Sequence, residues 1–153
     1  MVVRLEKSLT IDTTPDIAWS VLADFGAIAS WVPLIGHSCL LGETSEGIGA
    51  TRRVQIARQV LVERVVTWEP GRSLAYDIEG LPPIVGTPRN TWTLSPNKEG
   101  TRVALTTTID TGRNPLKKFA AGKALERMAL ASDMMLAGLG ARTQAMSNGK
   151  ATS

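Results

Sequence analysis

The feature that most limits how this chain can fold is an abrupt change of character just after Asp110. From His37 to Asp110 nearly every segment is strand-like, whereas "GRNPLKKFAAGKALERMALASDMMLAGLGARTQAM" is helix-compatible throughout. Asn114 supplies a cap and Pro115 suits the first helical position, where no amide hydrogen is needed. At about 100° per residue, Ala124, Met128, Ala131, Met135 and Leu139 share one arc, while Glu126 and Asp133 lie opposite. A run of antiparallel strands and one long helix can bury their apolar faces together only if the sheet curves and grips the helix. Gly122 and Gly138 each weaken that helix by about 1 kcal/mol relative to alanine. Something must approach the backbone there, or the helix bends.

The earlier part of the chain fits the same plan. "VVRLEKSLTID" reads as a first strand, with Val3, Leu5 and Ser8 to one side and Arg4, Glu6 and Lys7 elsewhere. "TTPDIAWSVLADF" reads as a short helix capped by Thr13 or Thr14, with Pro15 in its first turn. Ile17, Val21, Leu22 and Phe25 fall on one face, with Trp19 at its edge. "GAIASWVPLIG" is a second short apolar stretch ended by Pro33. "HSCLLGE", "EGIGATRRVQI" and "QVLVERVVTWE" follow as strands, the last setting Leu61, Glu63 and Val65 against Val62, Arg64 and Val66. "EPGR" is a turn into "SLAYDIEG"; "LPPIVGTP" suits a shaped rim; "RNTWTLSP" and "TRVALTTTID" flank the hairpin turn "NKEG". The expected fold is α+β: a curved six- or seven-stranded antiparallel sheet, two short helices and one long C-terminal helix. Residues 1–146 form a single domain, and 147–153 are expected to be a disordered tail.

Composition excludes several classes of function. The 153 residues are 43% hydrophobic, enough for a core, yet no run of eighteen apolar residues occurs, so no integral membrane segment is expected and a cytoplasmic location is. One cysteine, Cys39, rules out an internal disulfide, and one histidine, His37, cannot build a Cys/His zinc site. Neither metal nor cofactor is expected. The net charge of +3 is uneven: residues 1–111 hold ten Lys/Arg against twelve Asp/Glu, while 112–153 hold seven against two. That basic segment has one aromatic residue, Phe119, and no stacking pattern, so it reads as a solvated helix face rather than a nucleic-acid surface. No nucleophile elbow, Walker loop or dinucleotide fingerprint is present, and "GIGAT" lacks the third glycine and helix of a phosphate cradle.

Few polar groups are placed to orient a ligand. Two readings stand for Glu63: an exposed edge charge beside Arg64, or an inward carboxylate facing a ligand. Alternation sets Arg52 with Val54 toward a cavity end and Arg53 outward. Tyr76 shares a face with Ile78 and is either core or a wall with one hydroxyl. Met128, Ala131 and Met135 form either plain core or an adaptable wall. Phe25 and Trp31, at the turn between the short helices, are candidates for pocket walls. Trp68 and Trp92 fall opposite the inward sets and read as outer-face or rim aromatics; Trp19 reads as packing on the sheet.

"IDTTPDIAWSVLADFGAIASWVP", "GIGATRRV" and "ERVVTWEPGRSLAYDI", in this order and spacing, resemble the Bet v 1-like, START-like (SRPBCC) superfamily, in particular its polyketide cyclase/dehydrase and lipid-transport branch. The resemblance runs from Val3 to Leu139. It implies a helix-grip fold with an apolar cavity between sheet and helix, and capture of a small hydrophobic ligand such as a lipid, polyketide or isoprenoid-like molecule. It supports an inward Glu63, and it sets His37 where related hormone receptors carry a ligand-binding lysine; otherwise His37 is a loop or strand-end residue. Signalling is not implied, because the gate and latch loops are unmatched by "ARQV" and "LPPIVGTP". The main expectation is a binder or carrier, monomeric or homodimeric. The alternative is a polyketide cyclase/aromatase or dehydratase using His37 and Glu63 as acid and base, with Arg89 and Tyr76 as further candidates.

Overall fold

The computed structural model describes residues 1–151, with side chains through residue 148. The elements run β1 (Val2–Ile11), α1 (Pro15–Ala23), a 3₁₀ helix (Phe25–Ser30), β2 (His37–Leu41), β3 (Thr51–Ile56), β4 (Gln59–Glu69), β5 (Ser73–Glu79), β6 (Arg89–Asn97), β7 (Gly100–Asp110) and α2 (Pro115–Ala151). The seven strands form one antiparallel sheet in the order β1-β7-β6-β5-β4-β3-β2. Six of them follow as a meander, and β1 closes the row beside β7, so the first and last strands meet before α2 crosses the sheet. This is the expected α+β helix-grip architecture, with seven strands.

The caps explain where the helices start. Thr14 Oγ1 accepts from the Ile17 amide at 3.3 Å, and Asn114 Oδ1 accepts from the Leu116 amide at 2.9 Å. The second short helix is 3₁₀ rather than α, and Phe25 opens it instead of ending α1. At the other end, α2 runs through Ala151; of the tail expected at 147–153, residues 152–153 lie outside the described residues.

α2 packs chiefly on β1, β7 and α1 and diverges from β3, β4 and β5. Its buried contacts come from Ala121, Leu125, Ser132, Leu136, Leu139 and Thr143. The arc expected to be buried is therefore split: Leu139 is core, whereas Ala124, Met128, Ala131 and Met135 are half-buried. The two glycines also part company. A Cβ on Gly138 would collide with the Trp31 carbonyl oxygen, while nothing lies near Gly122. On β1 the face turned to the helix carries Val3, Leu5 and Lys7, not Ser8, and Lys7 Nζ reaches Asp133 at 3.5 Å. Strict alternation requires this, since residues 3, 5 and 7 share a face.

Candidate functional site

Because α2 leans away from β3–β5, a cavity of about 650 Å³ remains between helix and sheet. Its floor is Val54, Leu61 and Glu63 from β3 and β4, with Ile78 and Asn90 from β5 and β6, all buried. Ile28 and Ile35 close the end formed by the 3₁₀ helix and the loop after it. Leu81, Pro82 and Val85 of the β5–β6 loop form one rim, as the proline-rich stretch suggested. Ala124, Met128, Ala131, Met134 and Met135 supply the helix wall. The exposed lining residues mark the mouth: Gln59 and Pro82 on the sheet side, and Phe119, Lys123, Arg127 and Leu130 on α2.

Beneath the floor lies a buried polar cluster. Arg52 and Glu63 are cross-strand partners on β3 and β4, and Arg52 Nε donates to Glu63 Oε1 at 2.7 Å. Arg52 Nη1 donates to the Phe25 carbonyl at 2.9 Å, and its guanidinium lies 3.8 Å from the Phe25 ring centre and 4.6 Å from that of Tyr76. Burying either charge alone would be very costly; pairing, hydrogen bonding and two aromatic faces make the arrangement tolerable. Among the described residues, the Arg52 bond is the one hydrogen bond Glu63 makes through its side chain, and the carboxylate lines the cavity.

Tyr76 sits at the centre of the second half of this cluster. Its hydroxyl oxygen accepts from Trp92 Nε1 at 3.2 Å and from Asn90 Nδ2 at 3.4 Å, while Asn90 Oδ1 accepts from Thr107 Oγ1 at 2.6 Å. Burial, reinforced by the Glu63 carboxylate, pushes the Tyr76 phenol above its ordinary pKa, against the opposing pull of Arg52 and the two donors. Tyr76 therefore stays neutral, and it fixes the Asn90 amide that faces the cavity.

Half of the residues singled out in the sequence meet at this cavity: Val54, Glu63, Ile78, Met128, Ala131 and Met135. The rest lie elsewhere. Phe25, Arg52 and Tyr76 are buried behind the floor and hold its polar groups in place. Trp31 packs edge-on against Trp92 at 6.1 Å and borders a smaller cavity of about 180 Å³ near Arg142. His37 is exposed on the edge strand β2, on the same side as Gln55, with its Nδ1 3.4 Å from Arg53 Nη1. Arg89 is exposed and bound to Asp77 at 2.7 Å.

The tryptophans correct the reading of β5 and β6. Trp92 is core, 1% exposed, so Arg89, three residues away on the same strand, must point outward. Trp68 is half-buried, because a register shift between Val65 and Thr67 adds a residue to β4 and turns the following side chains over. Trp19 stacks edge-on against it at 5.1 Å, as packing on the sheet requires.

Sequence reasoning did not single out Asn90, Lys123 or Arg127. Asn90 was within reach, since it shares alternation with Trp92 once that residue is set inward. By sequence the two cations belong to a solvated helix face, and only the tilt of α2 brings them to the cavity. Among the described residues no group of three or more His, Cys, Asp or Glu side chains gathers as a metal site, and no helix is long and apolar enough to cross a membrane.

No curated protein sequence matches the chain. Several solved structures share its fold. The Zhui aromatase/cyclase from Streptomyces sp. R1128 superposes with a TM-score of 0.75 at 22% identity, covering 94% of each chain. Ara h 8.0201 gives 0.72 at 14% identity over 95% of this chain and 99% of its own. A protein from Nitrosospira multiformis gives 0.73 at 19% identity over 95% and 99%. At such identities the likeness speaks for the fold alone. Residues 2–143 match the sequence pattern of one family over nearly the whole domain, and the chain belongs to that family, polyketide cyclase/dehydrase and lipid transport.

Proposed function

We propose that this protein binds or carries a small, mostly hydrophobic molecule in the cavity between the sheet and α2. The observation that carries this reading is the cavity itself: about 650 Å³, within the range of ligand sites, with apolar walls and only Glu63 and Asn90 as polar groups on its floor. A ligand hydroxyl or carbonyl meets Asn90, a hydroxyl meets Glu63, and the remaining skeleton lies against Val54, Ile78 and the methionines of α2. Such a molecule would be a lipid, a polyketide or an isoprenoid-like compound. The proposal keeps the cytoplasmic location expected from the sequence.

Native mass spectrometry of the purified protein, together with uptake of an environment-sensitive apolar dye, tests it. Retained or captured ligand, displaced when Ala131→Trp fills the cavity, is the expected result. A chain that takes up no apolar probe would overturn the reading.

A second reading, a cyclase or dehydratase, draws support from Glu63, a carboxylate held at one oxygen by Arg52 and lining an apolar cavity. It needs no role for His37. Conversion of a polyketide-like ketone by the wild type, lost in Glu63→Gln while dye binding persists, would favour catalysis over carriage.

A further inference from the structure

Resting on the carrier reading, we infer that the ligand is an anionic amphiphile: one apolar chain held inside, with a carboxylate or phosphate head at the mouth between Lys123 and Arg127. The cavity has electrostatic polarity. Its floor holds Glu63, the sole carboxylate among its lining residues, already paired with Arg52, so the deep end offers an anionic head no free cation. Its mouth carries two cations and no acid among the lining residues.

The cations stand in an ordered row. Phe119, Lys123, Arg127 and Leu130 follow one another at spacings of four, four and three, so they form a single stripe down the mouth-side flank of α2. Lys123 and Arg127 are therefore about 5–6 Å apart at Cβ, close enough for one head group to meet both. Arg127 makes no hydrogen bond or ion pair among the described residues, and Lys123 has two exposed contacts, with Glu126 at 3.6 Å and with the Phe119 ring, 5.8 Å from its centre. Phe119 and Leu130, both 67% exposed, flank the pair. Apolar side chains left in water beside an unpaired arginine and a solvent-exposed lysine are what a partly emerging chain and its anionic head would cover.

Equilibrium binding of a matched set tests this: dodecanoate, dodecyl phosphate, dodecanol and dodecyltrimethylammonium, each below its micelle concentration. The expected order is both anions ahead of the alcohol by about fivefold, with the quaternary ammonium weakest. The preference should shrink with added salt. Lys123→Gln/Arg127→Gln should bring the anions level with dodecanol, whereas Lys117→Gln/Lys118→Gln, which removes the same charge away from the cavity lining, should keep the preference.

Equal binding of anion and alcohol by the wild type would overturn the inference while the carrier reading stands; no binding of any probe would remove both. Equal loss in the two double variants would assign the preference to overall charge and overturn the site. Sedimentation with phosphatidylserine-containing vesicles separates the sources: if the cations act only there, with no preference for monomeric anions, this flank docks on a lipid surface and the inference fails.

Discussion

The closed end of the cavity and its mouth are built on opposite principles. At the closed end Arg52, Glu63, Tyr76, Asn90 and Thr107 are buried and linked by hydrogen bonds, and Gly138 lets α2 touch the Trp31 backbone. At the mouth the same helix still packs on β1 and β7 through Ala121 and Leu125 but stands clear of β3–β5, with Gly122 in open space and Lys123, Arg127, Phe119 and Leu130 exposed. One helix thus serves as clamp in its second half and as door frame in its first. The difference separates the residues that hold the container together from those that meet what enters it.

The largest effect should come from breaking the closed end. Arg52→Met leaves the Glu63 charge buried and unpaired, and should destabilise by about 3–5 kcal/mol in denaturant unfolding. Adding Glu63→Leu should recover most of that loss. If Arg52→Met alone is as stable as wild type, the cluster is not a structural unit.

Tyr76→Phe removes the acceptor of Trp92 and Asn90, and should cost about 1–3 kcal/mol near neutral pH. It also tests the raised phenol pKa. Below about pH 10 both folded and unfolded Tyr76 are protonated; above it the unfolded chain ionises first, so stability falls as pH rises through the folded pKa. Tyr76 is the one tyrosine in the chain, so phenolate absorbance reads it directly. The folded protein should titrate above the unfolded one, and the phenylalanine variant should lack this contribution to the alkaline loss of stability.

The two halves of α2 should respond to the same substitution with opposite signs. Gly138→Ala forces a Cβ against the Trp31 carbonyl and should destabilise by about 1–3 kcal/mol. Gly122→Ala meets nothing and should stabilise by about 1 kcal/mol through helix propensity. Thermal unfolding of the pair checks the contrast, and equal shifts would erase it. Leu130→Ser at the mouth should change stability by less than about 0.5 kcal/mol, while altering the rate at which an apolar dye enters.

Much of the fold was legible because its local signals agree. Thr14 and Asn114 cap the helices, β4 spans "QVLVERVVTWE", and Leu61, Glu63 and Val65 share the inner face, as alternation required. The site was legible only in part. Val54, Glu63 and Ile78 follow from alternation on strands whose inner face was identified, and Met128, Ala131 and Met135 follow from helical spacing. That Trp92 lies inside and Arg89 outside was not legible, because alternation says which residues share a face, not which face is inside. Trp68 escaped for a different reason: a single extra residue in β4 reverses the parity of all that follow.

By itself, then, the sequence determined the elements, their order, the capped long helix and the family, because these rest on contacts between neighbours in the chain and on patterns repeated along it. Only the tertiary structure decided that Arg52 would be drawn beneath the floor against two aromatic rings, that His37 would lie outside on an edge strand, and that Lys123 and Arg127 would stand at the mouth. Each depends on how far α2 leans from β3–β5 and on where one bulge falls. Those quantities are set by packing between residues distant in sequence, where no local periodicity carries the information.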